Sequence, residues 1–299
     1  MEPTPPTKHK DFWPIFGLLG VTAVLFWPAT RWVAEQTLAH EQLRQSFYLL
    51  LFAAAVLWID NRPALRPVMA ISPRGLQLLG VSFALMLAAV FIWQTALLPL
   101  AAFAFALAGF VHIIFGDSGF KVSLPWVAAF AAFLVFILFF HVVDWPLRRL
   151  AGVQAAQLLA MMGYEVELAA VMADGAKLLL AVGDQLFEVA GECNGFGLMS
   201  SSAVLALLLV FGRDLPLYWK GFAVLLAFIV GFLFNTLRIL GIVLLAPRFP
   251  NHYDAMHETI GLIALFAGLG FLWWLLGGIG PSPAKPKSGG DSPAASAAG

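Results

Sequence analysis

The chain has little charge and a single cysteine, and each scarcity excludes something. Charged residues are 11% of the 299, against about 25% in an ordinary soluble domain. With a hydrophobic fraction of 61% and a mean hydropathy of +0.87, too little polar surface remains to face water on all sides. A soluble fold is therefore excluded, and the solvent is largely lipid. The net charge is zero, with 17 basic and 17 acidic residues, so tethering to nucleic acid or to an anionic surface is not the theme. One cysteine, Cys193, permits no internal disulfide, and helix packing must supply the stability. A lone thiol also suits an oxidising compartment, since it has no wrong partner in its own chain.

Motifs are missing as well. There is no paired cysteine, no H-E-x-x-H, and no histidine spacing that sets two ligands on one helix face. Neither a phosphate loop nor a G-x-S-x-G occurs. No metal or other cofactor is expected. The first apolar stretch, Trp13 to Ala29, is followed by Thr30, Arg31 and Trp32 rather than by a small-residue cleavage site, so it reads as a span and not as a cleaved leader.

What is present is a series of apolar runs, at 13–29, 46–59, 75–93, 96–115, 124–143, 195–212, 221–246 and 257–276. Several approach the roughly 20 residues that cross a bilayer, and 46–59 is short. The expected fold is an all-α polytopic membrane protein of about eight transmembrane helices. With the N-terminus cytoplasmic, ten Lys and Arg fall on the inside and six on the outside, and Arg238 lies within a span. That bias puts both termini inside, and the expected location is the cytoplasmic (inner) membrane.

The organisation follows from these runs. Residues 1–12 form a cytoplasmic segment, 13–143 a five-span bundle, 144–192 an extracytoplasmic stretch, 193–276 a three-span region and 277–299 a cytoplasmic tail. The tail is rich in Pro, Ser, Ala, Gly and Lys and is expected to be disordered. Within 144–192, Leu147 to Met162 reads as an amphipathic interfacial helix with Arg148 and Arg149 at its start. Alternation from Tyr164 to Leu168, the Asp174-Gly175 turn signal, and short β runs at 177–182 and 185–189 around Gly183-Asp184 predict a small β-element.

Three residues stand out for chemistry. Cys193 sits at or just before the start of the sixth span, with Asn194 and Gly195 as cap and turn residues. The free N–H groups of a helix start favour thiolate, whereas the adjacent Glu192 opposes it. Arg238 is intramembrane, where a charge costs roughly 2.5–3.5 kcal/mol on insertion scales and so marks a functional position. Asn235 shares its helix face. His257 opens the eighth span, level with Cys193, and a neutral imidazole there can take a thiol proton and return it to a leaving amine. On sequence grounds His252 in the outer loop and His141 at the end of the fifth span compete for that role. A thiol, a base and an oxyanion-stabilising cation on three consecutive spans are what cysteine acyl transfer needs. Two other readings stay open: a transporter with an anion site at Arg238 and Asn235, and an assembly subunit whose polar residues only join helices.

The last third resembles the exosortase/archaeosortase family, polytopic membrane transpeptidases or proteases. The likeness runs through Glu192-Cys193-Asn194-Gly195, Asn235-x-x-Arg238, His257-x-x-x-Gly261 and Pro146-Leu-Arg-Arg-Leu150 ahead of a β-rich stretch, over about residues 144–275. It implies Cys193 as nucleophile, Arg238 as transition-state stabiliser and His257 as acid/base. Asn194, Gly195 and Asn235 are then supporting residues. The implied substrates are exported proteins with a tripartite C-terminal signal: a PEP-CTERM-like motif, a transmembrane helix and a basic cluster. The acyl group would pass to an amine on a surface glycan or lipid, or to water. The family's cysteine is most often followed by Ser or Thr and then Gly; here Asn194 takes that place.

Overall fold

The computed structural model describes residues 12–92, 95–171, 177–249 and 252–277, without the side chains of Phe12 and Glu192. Helices α1 (Phe12–Ala39), α2 (Glu41–Asp60), α3 (Pro73–Phe91) and α4 (Leu97–Met161) lead to strands β1 (Val166–Val171), β2 (Lys177–Val182) and β3 (Gln185–Glu188). A 3-10 turn over Gly191–Asn194 then enters α5 (Phe196–Phe211), followed by α6 (Leu217–Leu245) and α7 (Tyr253–Gly277). Among the described residues, six helices are long and apolar enough to cross a membrane, and α5 is a shorter apolar helix. The chain is thus a multi-pass helical membrane protein. The runs 96–115 and 124–143 both lie in α4, and 195–212 is α5, of 16 residues.

α4 breaks once, at Gly116 (φ 68°, ψ −171°), a conformation that glycine adopts without a side-chain clash. The break frees carbonyls of the preceding turn. Ile114 accepts from the Val68 and Met69 N–H groups at 2.7 and 3.2 Å, and Ile113 accepts from Ala70 at 3.2 Å. The α2–α3 connection is thereby stitched to the break. Pro125 and Pro146 lie inside α4 without ending it. Leu147 to Met161 is therefore the end of the same helix, not a separate interfacial one. Beyond Gly116 the helix is about 65 Å long at 1.5 Å per residue, twice the roughly 30 Å hydrocarbon core, so its last part must leave the membrane.

That protruding end carries the sheet. β1 and β2 pair antiparallel, as do β2 and β3, through the turn at Gly183 (φ 56°). Leu178 and Leu180 of β2 pack on Ala151, Ala155 and Leu159 of α4 and on Ile239 and Val243 of α6. Gly152 permits the contact, since a methyl there would lie 2.7 Å from the Leu178 Cδ2. The expected turn at Asp174-Gly175 and the tail beyond Gly277 lie outside the described residues.

α5 is largely apolar apart from Ser200, Ser201 and Ser202, and it is buried or half-buried along its length between α2, α4, α6 and α7. Its N-terminal end lies within protein, whereas the chain emerges at exposed Gly212 beyond its C-terminal end. Phe196 and Val204 join Leu43 and Leu50 of α2 and Phe133, Leu134 and Ile137 of α4 in the largest core cluster. In lipid such packing needs specific fits. Ser46 of α2 lies 2.7 and 3.1 Å from the hydroxyls of Ser200 and Ser201. Gly231 lets α6 approach so closely that a methyl there would meet the Met199 Cα at 2.7 Å.

Candidate active site

Cys193 lies in the 3-10 turn ahead of α5, with its N–H bonded to the Ala190 carbonyl at 3.0 Å. The chain reverses at Gly195 (φ 81°), and glycine is required there twice over. Besides the left-handed backbone, a methyl would sit 2.9 Å from the Asn235 amide nitrogen. Each side of the loop is held by a different helix. Gln42 of α2 donates to the Gly191 carbonyl at 2.8 Å, and Asn235 of α6 donates to the Cys193 carbonyl at 2.9 Å. Asn194 is fully buried; its Oδ1 accepts from the Phe196 N–H at 2.7 Å, and its Nδ2 donates to Asp144 of α4 at 2.6 Å. Asp144 also accepts from Arg148 at 3.2 and 2.6 Å.

The thiol meets one histidine. Cys193 Sγ and His257 Nε2 are 3.5 Å apart, within sulfur hydrogen-bond range. The Tyr253 ring, one turn earlier on α7, stacks near His257 at 6.1 Å between centroids. The two histidines that competed for this role are not shown at the thiol. His141 bonds to the Gln36 side chain at 2.9 Å and lies edge-on to His40, while His252 is exposed. Burial, then His141, hold the His40 imidazole below its ordinary pKa of 6.5, and Asp144 offsets part of this.

Arg238 reaches the same place along two helices. It is three residues on from Asn235, hence on the same face of α6 as the Cys193 contact. Its guanidinium lies across Gly261 of α7, where a methyl would stand 3.1 Å from Nη2. Gly261 is in turn one helical turn from His257. Cys193, Arg238 and His257 thus share one neighbourhood, with Asn194, Gly195 and Asn235 as its supports. The pocket that Arg238 and Asn235 line together holds about 10 Å³, which is room for one water at most.

Arg238 and His257 also face a cleft of about 1560 Å³ between α2, β3 and α7. Cys193 itself faces a small pocket of about 20 Å³, which shares Phe187, Glu188, Tyr253 and His257 with that cleft. His257 therefore borders both the thiol's pocket and the cleft.

Sequence reasoning missed Gln42 and Asp144, and it gave Arg148 no role at the site. For Asp144 a signal existed: a carboxylate at the end of an apolar run with an arginine four residues on. Gln42 had none, being 149 residues from its partner.

A model of the family described as transmembrane exosortase matches residues 32–274. No curated protein and no solved structure matches the chain.

Proposed function

The chain belongs to the transmembrane exosortase family, and on that premise we propose that it cleaves the C-terminal sorting signals of exported proteins through a Cys193 acyl-enzyme. The family's general activity is cysteine-dependent processing of such signals. The observation that carries the reading to particular residues is the 3.5 Å approach of Cys193 Sγ to His257 Nε2. Residues 193–276 are the catalytic region, supported by the bundle at 13–143 and capped by 144–192. The excess of Lys and Arg on the other side supports an extracytoplasmic site in the inner membrane.

The steps follow from the geometry. His257 takes the Cys193 proton as sulfur attacks the carbonyl carbon of the scissile bond. The carbonyl oxygen becomes an oxyanion, to which the Arg238 guanidinium donates. As the C–N bond breaks, His257 returns its proton to the leaving amine nitrogen, and a thioester remains on Cys193. An amine on a surface glycan or lipid, or water, then attacks the thioester; His257 takes that nucleophile's proton and restores the thiol. Asn235 and Asn194 hold the loop so that sulfur keeps its direction. The substrates carry a short motif, an apolar helix and a basic cluster.

The test uses a tagged secreted protein from the same genome that ends in Pro-Glu-Pro, an apolar helix and a basic cluster. Co-expressed with the unsubstituted protein, it should shorten on a gel. Cys193→Ala should abolish the shortening, and His257→Ala and Arg238→Ala should each slow it by about 10²-fold or more. Undiminished processing by all three variants sinks the reading.

A further inference from the structure

Two helix faces look at each other across the cleft instead of packing together. On α2, Glu41, Arg44, Gln45, Tyr48, Leu49 and Phe52 recur at three- and four-residue spacing and line one wall. On α7, His257, Glu258, Gly261, Leu262, Leu265 and Phe266 do the same on the other. Both helices pack against α5. They run in the same direction, with Glu41 and Asp254 at the mouth and Phe52 and Leu269 below. At the helical rise, the α2 wall is about 16 Å deep and the α7 wall about 22 Å. That is more than half of the roughly 30 Å hydrocarbon core.

The walls change character with depth. The first turns carry charged and amide side chains, and β3 covers them with Gln185 to Glu188. Below, the walls are Leu and Phe. Phe52 is 67% exposed, Leu262 48% and Phe266 69%, so the lower part opens sideways to lipid. A volume of about 1560 Å³ exceeds the roughly 300–1,000 Å³ of small-molecule pockets.

We propose that this slot seats the apolar transmembrane helix of the protein being processed, lying parallel to α2 and α7 with its N-terminal end at the level of Cys193. The proposal rests on the processing reading above. A bond just ahead of a membrane helix must reach the thiol while that helix stays in hydrocarbon. A slot open at the side admits it without exposing apolar helix to water or unwinding its backbone in lipid. An acyl chain would suit the lower walls only. It would leave Glu41, Arg44 and Glu258 in the upper turns without polar counterparts, whereas a peptide presents backbone and motif side chains there.

Disulfide trapping decides the matter. In a Cys193→Ala background, which retains uncleaved substrate, Phe52→Cys and Phe266→Cys are placed in the slot. Leu225→Cys and Leu233→Cys, on exposed positions of α6, serve as controls. The reporter described above carries one cysteine, moved stepwise along its helix. After oxidation, both slot positions should give mixed disulfides at least tenfold above the controls, recurring every three or four reporter residues. Slot yields no higher than the controls overturn the proposal, whether lipid fills the slot or the helix docks elsewhere. If the unsubstituted protein cleaves the reporter, such a result removes this inference alone. If it does not, the processing reading fails and the inference falls with it.

Discussion

Two histidine clusters among the described residues, at His112 and at His257, contrast in what their polar partners leave open. Near the Gly116 break, the ring nitrogens of buried His112 lie 2.8 Å from the Ser72 hydroxyl and 3.0 Å from Asp117, which also takes Arg74 at 3.2 Å. By residue type this is a Ser–His–Asp set. Yet the Ser72 oxygen already accepts from the Gly75 N–H at 3.1 Å as the N-cap of α3, and both His112 nitrogens are engaged. The set ties the α2–α3 connection to α4. At Cys193 the chain inverts this arrangement. Backbone carbonyls and neighbouring amides make the supporting contacts, and the thiol is left facing a histidine that borders a large cleft. A histidine that borders a cleft on one side and a thiol on the other, not the list of residue types, distinguishes the two clusters.

The largest contrast is between the two candidate nucleophiles. Cys193→Ala should remove processing by at least about 10³-fold, whereas Ser72→Ala should leave processing unchanged. The Ser72 variant should instead destabilise the protein by about 1 kcal/mol through the lost helix cap, read as a lower melting temperature in detergent. Loss of processing on Ser72→Ala at normal stability would erase the distinction.

A smaller effect sharpens the role of the supports. Asp144→Ala removes the acceptor for both Asn194 and Arg148 and should reduce processing about tenfold. Because Asp144 acts through the loop, the rate at which a thiol reagent labels Cys193 should change as well. Asp144→Glu should recover part of both. An unchanged labelling rate with reduced processing would place Asp144 in some other role.

The smallest effect concerns pH. Because the folded chain holds His40 below 6.5, the unfolded chain takes that proton first as pH falls. The stability His40 contributes is thus complete above 6.5 and is lost as pH drops through that value toward the lower folded one. Melting temperature should fall between pH 7.5 and 5.5, and His40→Asn should flatten the slope slightly. An equal slope in the variant would assign the dependence to other groups.

The same contrast explains what could be read in advance. Apolar runs located the helices, and alternation around Gly183-Asp184 located the hairpin, because both signals are local in sequence. The runs 96–115 and 124–143 fall on the two sides of the Gly116 break in α4, but neither run marks the extension of that helix past Pro146 to Met161. Cys193, Arg238 and His257 could be set near one another by the order of spans alone. Their supports could not, since Gln42 and Asp144 reach Gly191 and Asn194 across 149 and 50 residues. Asn194, unusual after the cysteine, makes sense only beside Asp144, a partner that the sequence does not pair with it.

The central claim is that Cys193 carries the substrate covalently. Mass analysis of Cys193-containing peptides, taken while the protein is processing the reporter, tests it most directly. The account predicts a hydroxylamine-labile thioester joining the new C-terminus of the reporter to Cys193, absent from Cys193→Ala. Shortened reporter accumulating with Cys193 unmodified at every time point, or equally with Cys193→Ala, would contradict it.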